Sequence, residues 1–159
     1  MGKKAQEIVK MDLKELIEDL KKAYADEWLA YYQYWYDSKI ATGINAKNVI
    51  AELEEHAKEE FEHMNLLADR IIKLGGAPPT SFKEIEKISN CKYTVPADGK
   101  NLEKIVKDGI DGERCAISVY DSLLKKLSAG KDTITFHIIR HIMEEEIDHE
   151  EDFENLLGL

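Results

Sequence analysis

Four stretches of this 159-residue chain repeat apolar residues at three- and four-residue steps, each for roughly 25–30 residues. The first, from about Met11 to Ala41, carries Leu13, Leu16, Ile17, Leu20, Tyr24, Tyr31 and Tyr34. Thr42-Gly43 stops it, and Asn45 is placed to cap the second, which carries Val49, Leu53, Ala57, Met64, Leu67 and Ile71. Gly75-Gly76 and Pro78-Pro79 end that one. The third begins near Asp98 or Asn101 and uses Leu102, Ile105, Val106, Ile110, Ile117, Tyr120, Leu124 and Leu127. Gly130 closes it, Asp132 can cap the fourth, and Ile134, Ile138, Ile142, Phe153 and Leu156 continue the pattern.

Helices of that length reach about 40–45 Å, which suits a bundle. The first and last links are a few residues long, so each pair of helices must form an antiparallel hairpin. The middle link, Gly75 to about Asp98, is long and holds a candidate short helix, Ser81 to Ile88. The expectation is an all-α fold, a four-helix bundle of two antiparallel hairpins joined by a long crossover, with residues 1–159 forming one domain.

Charge narrows the partners. Twenty-two Lys and Arg against 32 Asp and Glu leave a formal net charge of −10. Lys3, Lys4 and Lys10 make only a thin basic arm, so DNA binding is not expected. No apolar run could span a bilayer, the start of the chain lacks the apolar core of a signal peptide, and two cysteines are too few for a disulfide framework. A cytoplasmic protein without a membrane partner is expected.

The informative residues are polar ones interrupting the apolar stripes. Glu27 falls on the first helix's inward face, Glu60 and His63 on the second's, Glu113 on the third's, and Glu146 and His149 on the fourth's. Both Glu-His pairs have the spacing Glu-x-x-His, which places a carboxylate and an imidazole side by side on one helix face. Adding 86 to positions 27, 60 and 63 gives 113, 146 and 149, with the residue type kept each time, and the same shift takes Ala30 to Ala116 and Tyr34 to Tyr120. Little else repeats. A pseudo-two-fold site between two hairpins would leave this pattern.

A chain so acidic has many solvated glutamates, and Glu59, Glu62, Glu144 and Glu145 read as such. The six inward residues do not, because four buried carboxylates repel one another and lose hydration unless protonated or paired. No Lys or Arg shares their faces. Two divalent cations would balance four carboxylates, with two imidazoles completing the shells. The donors suit iron or manganese, and zinc would also bind. Two adjacent redox ions could each give one electron to a shared oxidant. Tyr34, two turns beyond Glu27, could hydrogen-bond a ligand, supply an electron, or only pack; Tyr120 reads more readily as a core aromatic. His56 shares the inward face as a supporting or access-path residue, and His137 with His141 form an i, i+4 pair that could hold a metal in transit but reads more readily as exposed or core. Gly109 and Gly112, if helical, imply a close approach or a kink beside Glu113.

Glu27, Glu60, His63, Glu113, Glu146 and His149 resemble the di-iron motif of the ferritin and bacterioferritin superfamily over nearly the whole chain, and Glu27-Trp-Leu-Ala-Tyr-Tyr-Gln-Tyr34 resembles the bacterioferritin first helix. The resemblance implies a ferritin-like bundle and a ferroxidase that oxidises Fe(II) with hydrogen peroxide or dioxygen. It implies a catalytic set of those six with Tyr34, two irons per subunit with Glu60 and Glu146 bridging, and ferric mineral kept in an oligomeric cage that protects against oxidative stress. Ten residues after His149 leave no room for the fifth helix of 24-subunit members. Phe61 stands where bacterioferritins place a haem-ligating Met, so haem is not expected. The crossover helix is similar to that of dodecameric Dps proteins, although the first helix lacks the His of their interface iron site. A bacterioferritin-type site in such a frame resembles the Dps-like proteins, or thioferritins. That likeness implies a homododecamer and a redox pair, Cys91 and Cys115, beside the metal, with a small buried residue and an incidental thiol as the plainer account. By helical phase Cys115 does not point along the Glu113 direction, so direct ligation by it is not expected. The rival readings are a rubrerythrin-like peroxidase or oxidase that stores nothing, and a structural bundle with a vestigial site.

Overall fold

The structure is a computed structural model that describes residues 3–96, 98–128 and 130–159; Met1 and Gly2, part of the amino-terminal reading, lie outside it. Six helices follow in order: α1 (Lys4–Glu7), α2 (Leu13–Ile40), α3 (Ala46–Lys73), α4 (Phe82–Ile88), α5 (Leu102–Leu127) and α6 (Thr133–Leu157). No strand occurs among the described residues, and no helix is long and apolar enough to cross a membrane. Helices α2 and α3 pack as one hairpin and α5 and α6 as the other, with α2 against α5, α3 against α6, and α4 lying on α2.

The helix starts obey local chemistry. Asp12 accepts from the Glu15 N–H, Ser81 from Glu84, Asn101 from Lys104, and Asp132 from Ile134 and Thr135, each satisfying a first-turn donor that the helix cannot. Asn45 departs from its expected role. It precedes α3 in a left-handed conformation, φ 68°, and its side chain makes no capping bond, so it serves the tight turn after Gly43. The α5 start settles at Leu102, which places both Gly109 and Gly112 inside the helix.

Two apolar clusters fill the bundle. One is built around Leu16, Leu20, Leu67, Ile71, Leu127 and Ile142, the other around Leu53, Ile105, Ile110 and Phe153. Ile139 is fully buried, whereas Ile134, expected inward, is 50% exposed because Thr135 takes the inward position of that first turn. Buried Arg70 closes the end of the first cluster, donating from Nε to Thr135 at 2.8 Å and from Nη2 to Asp132 at 2.6 Å. Burial disfavours the Asp132 charge, but the Thr135 and Arg70 hydrogen bonds prevail and hold its carboxyl below the usual range. The short α1 was not foreseen; Gln6 anchors it by donating to the Leu74 carbonyl.

Candidate metal centre

Between the two apolar clusters lies a layer of charge. Glu27, Glu60, His63, Glu113, Glu146 and His149 converge there, each 1–2% exposed, one set from each of the four long helices. The same faces that carry the apolar stripes deliver them, since a helix returns to one direction every seven residues. Leu20, Glu27 and Tyr34 are such a series on α2, and Glu113 and Tyr120 on α5.

His63 Nδ1 lies 3.1 Å from Glu27 Oε2, 3.1 Å from Glu146 Oε1 and 3.4 Å from Glu60 Oε2. His149 Nδ1 lies 3.3 Å from Glu60 Oε1, 3.5 Å from Glu146 Oε2 and 3.8 Å from Glu113 Oε1. A ring nitrogen carries one proton, so two inward N–H groups cannot satisfy so many acceptors. Glu60 Oε1, Glu146 Oε1 and His149 Nδ1 accordingly have no hydrogen-bond partner. Two quartets have donor atoms within 4.8 Å of one another: Glu27, Glu60, His63 and Glu146, then Glu60, Glu113, Glu146 and His149. Glu60 and Glu146 belong to both. Orphaned buried donors around two adjoining points fit a pair of cations.

Burial, then the Glu146 and Glu60 charges, push the Glu27 and Glu113 carboxyls well above the ordinary range. Burial opposes the Glu60 and Glu146 charges too. The His149 and His63 imidazoles beside them outweigh it and hold both carboxyls below the usual range. Burial likewise works against imidazolium, yet the surrounding carboxylates dominate, raising His149 to about 12 and His63 well above its ordinary value.

The outer bonds cross between helices in pairs. Tyr34 on α2 donates to Glu113 on α5, while Tyr120 on α5 donates to Glu27 on α2. Tyr120 is therefore more than the core aromatic its setting suggested. On the other side, His63 Nε2 on α3 meets Glu145 Oε2 on α6 at 2.6 Å, and His149 Nε2 on α6 meets Glu59 Oε2 on α3 at 2.8 Å. Glu59 and Glu145 are only about a third exposed and are not simply solvated. The missed signal was the same 86-residue shift, which also relates Glu59 to Glu145. Glu62 and Glu144 do lie at the surface, near Lys58 and Arg140.

A cavity of about 230 Å³ opens onto the layer from the α2–α5 side, lined by Glu27, Tyr34, Glu113, Glu146, Cys91 and Cys115 among others. Cys91 in the crossover and Cys115 on α5 are disulfide-bonded, with Cα atoms 5.9 Å apart. Asp26 fixes the crossover beside them, accepting from the Asn90 and Cys91 backbone N–H groups at 2.7 and 2.8 Å and from the Asn90 side chain at 2.7 Å. Burial nonetheless pushes its carboxyl up to about 6. No sequence pattern marked Asp26. Gly109 and Gly112 provide close approach: a Cβ would stand 2.7 Å from the Phe153 ring at the first and 3.3 Å from the Tyr34 hydroxyl at the second.

His56, 1% exposed, stacks on His149 with ring centroids 4.1 Å apart. Burial, then the neighbouring His149 charge, lower its pKa to about 4. His137 and His141 are exposed, and His141 Nε2 lies 3.7 Å from Glu145 Oε2, the oxygen that meets His63. Phe61 is 45% exposed and packs on Tyr31.

Comparison with known proteins gives consistent matches. The ferritin-like domain model matches residues 17–159. A DNA protection during starvation protein from Pyrococcus furiosus is 33% identical over 147 residues, covering 92% of this chain and 79% of the relative. A bacterioferritin from Desulfovibrio desulfuricans is 29% identical over 142 residues, covering 89% and 74%. The solved structure of a dodecameric thioferritin, the bacterioferritin-related protein of Bacteroides fragilis, superposes with a TM-score of 0.93 at 38% identity, over 99% of this chain and 94% of that one.

Proposed function

The chain belongs to the ferritin-like family, and from that premise we propose that it is a ferroxidase that stores iron and removes its oxidants. Glu27, Glu60, His63 and Glu146 hold one ferrous ion; Glu60, Glu113, Glu146 and His149 hold the other. Glu60 and Glu146 bridge them. One observation carries the reading: the inward nitrogen of each histidine converges on three carboxylates from three helices, more acceptors than any proton can serve.

Two ferrous ions held there supply one electron each, the number that hydrogen peroxide needs, with two protons, to become two waters. The side chains divide the remaining work. Glu59 and Glu145 fix the imidazole rings from outside, and Tyr34 and Tyr120 fix the terminal carboxylates. The α2–α5 cavity admits a small oxidant, and Tyr34 on its wall is placed to give up an electron. As thiols, Cys91 and Cys115 would deliver two further electrons and two protons on closing the bond seen here. The domain, residues 1–159, works in copies, as a twelve-subunit cage in the cytoplasm like the dodecamer of the B. fragilis protein. A net charge of −10 favours cations over nucleic acid as its partners.

Anaerobic Fe(II) loading followed by peroxide tests this. Wild-type protein is expected to oxidise two irons per subunit rapidly and to carry many more through size exclusion. Glu60→Ala with Glu146→Ala should abolish the rapid phase. Equal oxidation by that variant overturns the site; oxidation without retained iron overturns storage in favour of a rubrerythrin-like oxidase.

A further inference from the structure

We propose that Glu52, His56 and Asp152 form a third divalent-cation site, between the carboxylate layer and the α3–α6 surface. His56 Nε2 lies 3.9 Å from Glu52 Oε2 and 3.6 Å from Asp152 Oδ2. Donor atoms bound to one ion at about 2.1 Å stand roughly 3–4 Å apart, so these three need little movement to share a cation. One imidazole nitrogen and two carboxylate oxygens suit ferrous, manganous, cobaltous or zinc ions.

The acidic pair alone would mean little. His56 makes the difference: it is 1% exposed, and neither ring nitrogen has a hydrogen-bond partner. Such a buried imidazole costs free energy unless something occupies it. Its Nε2 points at the two carboxylates. Neither Glu52 nor Asp152 has a Lys or Arg within ion-pair distance among the described residues. The negative charge there lacks a counterion.

Position gives the site its role, which rests on the function proposed above. Glu52, His56, Glu60 and His63 follow one another along a single face of α3, and Asp152 is one turn beyond His149 on α6. Through its stacked ring, His56 lies close enough to His149 and Glu113 to share a cation with them as well. The third site is thus a transfer point, passing metal between the layer and the α3–α6 surface, opposite the cavity on the α2–α5 side.

Crystals of the full chain soaked in Co(II), with anomalous scattering as the readout, test the site directly. Wild-type protein should show a peak bounded by Glu52, His56 and Asp152 besides two in the layer. Glu52→Gln with Asp152→Asn, both partly exposed and close in shape, should lose that peak and keep the other two. In solution the same variant should oxidise its first two Fe(II) per subunit at the wild-type rate but take up later iron severalfold more slowly. Absence of the third peak in saturated wild-type crystals, or its persistence in the variant, overturns the proposal. A third peak beside an empty layer would instead overturn the di-iron reading and leave the third site standing.

Discussion

Tyr34 on α2 donates its hydroxyl to Glu113 on α5, and Tyr120 on α5 answers by donating to Glu27 on α2. Each tyrosine is rooted in a different apolar cluster, Tyr34 with Phe153 and Tyr120 with Leu20. The terminal carboxylates are therefore held from opposite ends of the bundle, each by the other hairpin.

Crossed support predicts crossed effects. On the proposed di-metal reading, Tyr34→Phe should weaken binding of a cation at Glu113 and His149, and Tyr120→Phe of one at Glu27 and His63. Outer-shell partners are typically worth about 10- to 100-fold in metal affinity. Competitive Co(II) titration against a chelator measures the loss, and anomalous occupancies assign it to one position or the other. Each change should also destabilise the metal-free protein by about 1–3 kcal/mol, because a buried carboxyl loses its donor.

Glu59→Gln and Glu145→Gln probe the opposite side. The outer Nε2 of His149 and of His63 rests on these carboxylates, which fix the ring orientation and raise its basicity. An amide keeps a hydrogen bond but removes the charge. Metal affinity should fall by about tenfold in each, with the folded structure unchanged by circular dichroism. Equal affinity would mean that these carboxylates are solvated, as their composition alone suggested.

Which parts were legible follows from what repeats. Helix faces return every seven residues, so Glu27, Glu60, His63, Glu113, Glu146 and His149 could be placed together from the sequence alone, and the short links forced the hairpins. Asp26 was not legible, because it binds the backbone of a crossover that has no period. Asn45 failed as a cap because the tight turn after Gly43 took its backbone into the left-handed region. The Cys91–Cys115 bond depends on how the crossover returns to α5; family likeness implied a redox pair but left the bond open, and spacing could not supply it.

Metal should replace protons. Without it, burial holds the Glu27 and Glu113 carboxyls well above their ordinary range and the surrounding carboxylates hold His63 and His149 above theirs, so filling both positions should release protons. Weakly buffered Co(II) titration with a pH indicator counts them. The linkage sign follows. These groups bind protons more tightly folded than unfolded, so the stability they contribute is full below their unfolded pKa values and is lost as pH rises towards the folded ones, about 12 for His149. The metal-free melting temperature should fall between pH 6 and 9, while the rise produced by metal grows.

Gly109→Ala should destabilise despite its helical position. Alanine gains about 1 kcal/mol of helix propensity. Its Cβ would sit 2.7 Å from the ring of fully buried Phe153, which Tyr34 and His56 hold edge-on. Overpacking of that kind costs about 1–3 kcal/mol, enough to cancel the gain or exceed it. Urea denaturation should show a net loss for Gly109→Ala, and pairing it with Phe153→Leu should recover part of it.

Asp37 offers a test away from the carboxylate layer. It is 1% exposed, and its Oδ1 has no hydrogen-bond partner. Burial, then the facing Asp108 carboxylate, lift its carboxyl from 3.8 to about 6. Lys104 pairs with Asp108 and so relieves only that partner. A carboxyl raised on folding stabilises the protein in its protonated form, fully below its unfolded pKa and not at all above its folded one. The metal-free protein should therefore lose up to about 3 kcal/mol from this site as pH climbs from 4 to 7. Asp37→Asn cannot ionise. Its melting temperature should match wild type near pH 4 and exceed it at pH 8, whereas a constant difference across that range would mean that Asp37 titrates normally and is hydrated.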